Sequence, residues 1–332
     1  MVSVLRVGFR FGAAGGKVGG HVVAWAAVLD GLDALASTSL LRVHVGSGPT
    51  RYGYFETIRE VAARHAAEDA ALGQVCAAHA WHFAERAKAP DFVVWAADVD
   101  NLLAAHAMSI RLANEAEGAP ARVHAEHAAW IALGLEPWFS ARGLSRQQTT
   151  LFDETLRMLE QISPEGVLFT RVVLGRGLAH RALGEMAEAR ADFERALELC
   201  DRRDATGAST GVRAVALAQL GEIVDVEGDT EGARTRLNEA LVVLAETAPD
   251  EVRSRREADV HLLLGHAHRR EGALVPARAA TLESIERYRS LNHDEGLARA
   301  LYELGVVELF AGRSAEAGAC FEEGLAVARR GE

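Results

Sequence analysis

Cysteine and proline are scarce in this sequence, with three and seven among 332 residues. Cys76, Cys200 and Cys320 lie far apart and have no paired spacing. That pattern excludes the dense cross-links of a small disulfide scaffold and the paired ligands of a zinc finger, and it suits a reducing cytoplasm. Little proline with abundant alanine favours helices. No run reaches the ~18 apolar residues of a membrane span, and glycines stand where a signal peptide would have its apolar core. Basic charge is also in deficit. A net charge of -11 argues against a general nucleic-acid-binding surface and leaves room only for a local basic patch. With 49% hydrophobic residues and mean hydropathy near zero, the chain has enough material for two or three core-bearing units.

What the sequence does contain is a repeat. A glycine, a second glycine seven residues on and an alanine five further on recur four times. The copies are Gly177, Gly184, Ala189; Gly221, Gly228, Ala233; Gly265, Gly272, Ala277; and Gly305, Gly312, Ala317. The frame reads as a helical hairpin: the first glycine admits a neighbouring helix, the second turns the chain, and the alanine packs inside the next helix. Small residues follow at Ala196, Ala240, Ser284 and Gly324, and mostly large ones at Phe193, Leu237, Thr281 and Phe321. Small and large alternate as interlocking hairpins require.

Leu220, Gly221, Gly228, Ala233, Leu237 and Ala240 resemble the signature of a tetratricopeptide repeat. The turn glycines stand 44, 44 and 40 residues apart, more than the ~34 of the basic repeat, so helices or connectors should be longer. Asp204 to Gly211 and Ala248 to Arg253 fit that extra length. Looser packing is expected where Thr281, Ser284 and Gly324 depart from the pattern. A degenerate earlier copy is expected around Gly143, followed by Phe152.

Residues 1–20 read as a short apolar start and a glycine-rich stretch. His21 to Leu41 has helical spacing in Val22, Trp25, Leu29, Leu32 and Leu35. Leu41 to Val45 then alternates as a strand, Gly46 to Pro49 turns, and Tyr52 to Phe55 returns as the second strand of a hairpin. Helix, hairpin, helix is the order of a winged-helix unit's end. Helices are expected near 56–70, 72–88, 91–116, 121–135 and 145–162. Ser163-Pro164-Glu165 reads as a helix start, with a capping serine and proline at the first helical position. The domains expected are a winged-helix-like remnant over 1–65, a helical connector over 66–162 and four tetratricopeptide-like repeats over 163–332.

The segment Arg51 to Glu60 resembles the join between winged helix and helical arm in bacterial signal-transduction ATPases of the STAND class. His79 with Phe83, and Asp98 to Leu102, resemble further motifs of that family in the same order. The resemblance covers most of residues 29–332. It implies a sensor arm that binds a partner or ligand and controls an output, but here without the nucleotide-binding core that precedes the winged helix in that family.

Other motifs fail chemical tests. Gly12 to Val18 looks like a phosphate-binding loop, but only three residues precede the Gly-Lys, Phe11 stands at the first glycine, and Val18 cannot ligate magnesium. His79 with His82 and His124 with His127 are spaced by three, where a zinc protease needs four with an adjoining acid. These pairs, and His261, His266 and His268, read as amphipathic packing. Asp98 and Asp100 read as a cap or solvated surface. No catalytic, cofactor-binding or metal-binding residues are assigned, and no enzymatic activity is expected. The would-be recognition segment Val22 to Leu41 carries Asp30 and Asp33 but no Lys or Arg, which disfavours DNA reading.

The remaining functional surface is the concave side of the repeats. In tetratricopeptide domains the first helix of each hairpin lines the groove, and transfer by frame gives Arg171, Arg181, Glu222, Asp225, Asp259, His266, Arg269, Arg299 and Tyr302. Charges of both signs with one aromatic suit an extended peptide. The expectation is an all-α solenoid, preceded by a helical connector and the winged-helix-like remnant. Its function would be non-catalytic binding of a protein or peptide in intracellular bacterial signalling or transcriptional control. The alternatives are a DNA-associated regulator and a small-molecule sensor. The last hairpin, ending in Ala326 to Arg330 without a polar cap, offers a face on which another copy could stack.

Overall fold

The computed structural model describes residues 16–18, 21–23, 25–45, 51–54, 61, 72–89, 98–202 and 209–330. Among these the chain forms four short strands and thirteen helices. It divides into two compact units, Met1–Gly175 and Arg176–Glu332.

The first unit opens with β1 (Gly16–Val18) and β2 (His21–Val23), paired antiparallel with Lys17 opposite Val22. Val22 therefore belongs to a strand, against the helical reading of its spacing. The β-branched pair Val22-Val23 favours extended backbone, and the helix α1 (Trp25–Ser37) begins only after it. Ser39, at φ 61, turns the chain out of α1, and the Leu40 amide donates to Leu35 O at 2.9 Å. β3 (Leu41–His44) and β4 (Arg51–Tyr54) form the expected hairpin, with Leu41 opposite Tyr54 and His44 opposite Arg51. Apart from Val61, which is helical, the expected helix over 56–70, the Phe55 to Glu60 part of the STAND-like segment and residues 12–15 of the glycine run lie outside the described residues.

α2 (Leu72–Ala87), α3 (Val99–Glu115), α4 (Gly118–Ser140) and α5 (Ser145–Ile162) follow the expected order. α4 starts earlier than its spacing suggests, because Gly118 at φ 65 turns the chain and Pro120 is tolerated in a first helical turn. α4 and α5 form the degenerate hairpin, turned by Gly143 at φ 65 and holding a fully buried Phe152. Leu102, Ile131, Leu135 and Leu159 complete the packing of this unit.

Ser163 does not start a helix. It is the C-cap of α5, its carbonyl accepts from the Gly166 amide at 3.2 Å, and α6 begins at Val167. Pro164 lacks the amide that would continue α5, and it makes the stop.

α6 (Val167–Leu183) runs into the second unit and pairs with α7 (Met186–Asp201) as the first hairpin. The others are α8 (Thr210–Val226) with α9 (Thr230–Ala245), α10 (Glu251–Arg270) with α11 (Leu274–Ser290), and α12 (Asp294–Phe310) with α13 (Ser314–Ala328). The frame does the work its composition implies. Gly184, Gly228, Gly272 and Gly312 turn the four hairpins at φ between 76 and 100. A Cβ on Gly177 or Gly305 would stand 2.6 or 2.4 Å from a ring carbon of Phe193 or Phe321. On Gly221 it would meet Leu237, and on Gly265 Thr281. Ala189, Ala233, Ala277 and Ala317 are buried.

The second helices α9 and α11 pack between successive first helices. Leu237, Ala240 and Leu244 of α9 meet Leu217 of α8 and Val260 and Leu264 of α10 in one cluster. A further cluster joins α10, α11, α12 and α13 through Leu262, Tyr288, Leu301 and Val327. The expectation of loose packing at Thr281 and Ser284 fails. Both are fully buried; Thr281 Oγ1 donates to Ala277 O at 2.9 Å and Ser284 Oγ to Ala258 O at 2.8 Å. The hydroxyls are satisfied by helical carbonyls, so small polar residues fill the small and large positions without an orphaned group. Gly324 is buried with ordinary spacing to Leu301. The extra repeat length lies partly in α10, 20 residues long against 17 for α8 and α12, and partly in the connector before Asp250, which caps α10. Residues 203–208 of the other expected connector lie outside the described residues.

Candidate functional site

Two clefts open along the first helices of the second unit. One, of about 300 Å³, is lined by Leu178 and Arg181 of α6, Gln219 and Glu222 of α8, Arg255, Arg256 and Asp259 of α10 and Arg299 of α12. All four hairpins contribute their first helix to it. The other, of about 710 Å³, is largely apolar and lies between Leu262, His266 and Arg269 of α10, Arg299 and Tyr302 of α12, and Phe321 and Leu325 of α13. Arg299 borders both.

Seven of the nine residues transferred by frame therefore gather on these two clefts. Asp225 is buried at the end of α8 and pairs with Arg270 at 3.3 Å. Arg171 belongs to the first unit, where its guanidinium lies 4.7 Å from the Trp130 ring centre. The clefts bind most of their own charges. Arg181 donates to Glu222 at 2.9 Å. Tyr288 donates to Asp259 at 2.5 Å, and burial together with the Asp259 charge pushes the phenol pKa up. Glu303 is nearly inaccessible at 3% exposure and takes Arg269 at 2.5 Å and His266 at 3.3 Å. Burial opposes its charge, and the hydrogen bonds from His266 and Arg269 outweigh that cost and hold its carboxyl below the usual range. Tyr302 remains 62% exposed beside Phe321, 5.6 Å between ring centres.

Arg255, Arg256 and Gln219 line the first cleft and were missed by the frame. A 34-residue template has no position for the extra turns of α10 that carry the two arginines. The signal was nonetheless present: Arg255, Asp259, Leu262, His266 and Arg269 continue one stripe at spacings of four and three.

The paired histidines of α2 and α4 contact aromatic rings. His79 and His82 lie 4.8 and 5.2 Å from the Phe83 ring, and His124 lies 5.9 Å from His127. Burial lowers His79 and His127 to about 4, which keeps both neutral. Asp98 pairs with Arg86 at 3.6 Å. Lys17 and Val18 of the phosphate-loop-like run are strand residues. Among the described residues, no group of three or more His, Cys, Asp or Glu is arranged for a metal ion, and no helix is long and apolar enough to cross a membrane. The three cysteines are free, and burial raises the Cys76 and Cys320 thiols away from reactivity.

Comparison with known proteins identifies the architecture. A tetratricopeptide repeat model matches residues 170–202, the first hairpin of the second unit. The solved structure of BtubC (BKLC) from P. vanneervenii is similar at 18% identity, covering 69% of this chain and 91% of that one with a TM-score of 0.53. NprR in complex with its cognate peptide NprX is similar at 13% identity over 92% of this chain and 78% of that one, TM-score 0.54. The fold is a tetratricopeptide-like solenoid. The apo form of RapI aligns with it at 12% identity over 82% of this chain and 70% of that one, TM-score 0.53. No curated protein sequence matches the chain. In this tetratricopeptide-like frame, the smaller cleft is lined mainly by first helices, and the larger one is closed on one side by Phe321 and Leu325 of the second helix α13.

Proposed function

We propose that the chain is a non-catalytic module that seats an extended peptide or protein segment on the first-helix face of its second unit. The observation that carries the reading is the continuity of the two clefts through Arg299, which joins a charged lane on α6, α8 and α10 to an apolar lane on α12 and α13. An extended chain presents alternating side chains and unpaired backbone groups, and it fits a lane with both polar and apolar contacts. NprR, of similar fold, is solved with a peptide. The resemblance of Arg51 to Glu60, of His79 with Phe83 and of Asp98 to Leu102 to STAND-class arms supports a role as an adaptor or sensor arm in bacterial signalling or transcriptional control, acting in the cytoplasm.

The test is selection of displayed random peptides on the full chain, followed by calorimetric titration of the enriched peptides. Arg299 and Tyr302 are both exposed, so Arg299→Glu with Tyr302→Ala should leave the fold intact and abolish the binding. Enriched peptides that bind this variant as tightly as the parent would place the site elsewhere.

A further inference from the structure

We propose that a second copy of this chain covers the larger cleft, its α13 lying antiparallel on α13 of the first across a two-fold axis. The contact itself needs no ligand; its consequence, that assembly excludes the bound segment, rests on the peptide-binding reading above.

The repeat defines what the larger cleft is. In the second hairpin, Ala214 and Ala218 of α8 with Leu237, Ala240, Leu241 and Leu244 of α9 form the seat on which α10 packs through Val260, Leu263 and Leu264. The same frame positions of the third hairpin include Ala258, Leu262, Ile285 and Tyr288, and Leu297, Leu301 and Leu304 of α12 pack on them. In the last hairpin the positions fall on Ala298 and Tyr302 of α12 and Phe321, Gly324, Leu325 and Ala328 of α13, and all six line the larger cleft. Tyr302 is 62% and Leu325 53% exposed, against 1% and 2% for their counterparts Leu262 and Ile285. The cleft is therefore a helix seat that no described helix covers, with large apolar groups facing water. Because α9 and α10, like α11 and α12, are consecutive antiparallel helices, a helix filling the last seat in the same way runs antiparallel to α13.

α13 carries both halves of such a contact. Gly318, Phe321, Leu325 and Ala328 follow one another at spacings of three, four and three, the a and d positions of an interhelical seam. Glu322 and Arg329 each follow a d position, so they share one flank of the seam, and both are exposed. Their neighbours Glu323 and Arg330 pair within the chain, with Arg289 at 2.6 Å and Asp294 at 3.6 Å. Among the described residues, neither Glu322 nor Arg329 is engaged by an opposite charge. A two-fold axis passing between residues 325 and 326 sets Glu322 of each copy level with Arg329 of the other. An acid and a base on one flank of the same helix complement each other in this antiparallel arrangement, while a parallel one would oppose like charges.

Assembly of this kind covers Phe321 and Leu325, which the apolar lane of the peptide-binding reading also uses. The second copy and a bound segment therefore exclude one another, and self-association regulates access to the lane.

Sedimentation velocity of the full chain over a wide range of concentrations tests the contact. The parent should show an equilibrium between monomer and dimer. Leu325→Glu, at an exposed position, should weaken the dimer by about a hundredfold or more. Glu322→Arg and Arg329→Glu each bring like charges together and should weaken it by about tenfold. The chain carrying both exchanges, or an equal mixture of the two single variants, should recover the parent's affinity. A parent that stays monomeric, a dimer indifferent to Leu325→Glu, or an exchange that fails to rescue overturns the proposal. Peptides recovered by display should bind Glu322→Arg more tightly than the parent at concentrations where the parent is a dimer. Equal binding overturns the exclusion and leaves the peptide-binding reading standing. Recovery of no peptide overturns that reading and the exclusion with it, while the charge exchange still decides the dimer.

Discussion

Ser284 Oγ donates a 2.8 Å hydrogen bond to the carbonyl oxygen of Ala258, tying α11 to α10 at a point where neither residue is exposed. The bond shows how this solenoid tolerates polar residues at interlocking positions, since the side chain is no larger than the small residue the interface needs. Ser284→Ala keeps the volume and should cost about 1 kcal/mol, the net value of one such bond. Ser284→Leu must force α10 and α11 apart and should cost about 1–3 kcal/mol more. Urea denaturation of the two variants checks the order; equal losses would mean that the interface can shift to admit the larger side chain.

The first glycines of the frame predict a graded series. At Gly177 a Cβ would meet the fully buried Phe193 ring at 2.6 Å, and Asp192 stands as close as 3.0 Å. Neither neighbour can retreat, because Asp192 is held by Arg176 at 2.5 Å. Gly177→Ala should therefore destabilise by about 1–3 kcal/mol. At Gly221 the nearest atom is Leu237 Cγ at 3.0 Å, and the helix gains about 1 kcal/mol from alanine, so Gly221→Ala should be close to neutral. Thermal melts of both variants measure the difference, and a Gly221 variant as damaged as the Gly177 variant would contradict the account.

Much of this architecture was legible because glycine and alanine at fixed spacing carry geometric meaning of their own. The turn at Gly228 or the close approach at Gly177 needs no knowledge of the partner helix. Three features were not legible. Val22 sits in a strand because its pairing with Lys17 outweighs a helical spacing shared with Trp25 and Leu29. Ser163 carries the residue types of an N-cap, yet it closes the preceding helix, and sequence alone does not separate the two uses of a serine before proline. Arg255 lies on turns that the basic repeat lacks, so its place beside Arg299 depends on the length of α10. Arg171 and Asp225 met the frame and still fall outside both clefts, because local partners, Trp130 and Arg270, take their side chains.

Acid should weaken the fold before the carboxylates titrate. Thr155 donates its hydroxyl to Leu151 O at 2.8 Å, so its oxygen accepts from His106 Nε2–H, also at 2.8 Å. His106 is fully enclosed, and burial lowers its pKa from 6.5 to about 4. Below pH 6.5 the unfolded chain takes up a proton that the folded chain refuses, so stability falls between pH 6.5 and about 4. The slope is about 1.4 kcal/mol per pH unit for one such histidine. His79 and His127 act in the same direction. Urea midpoints at pH 7 and pH 5 should show the loss, and His106→Gln should shrink it by one histidine's share. A variant with an undiminished pH dependence would contradict the assignment.

Hydrogen exchange of the full chain, with and without a peptide recovered by display, tests the central claim most directly. Peptide seated across the two clefts should slow exchange in α8, α10 and α12 and leave the outer turns of α9 and α11 unchanged. Protection confined to second helices or to the first unit would contradict a peptide-binding face built from the first helices.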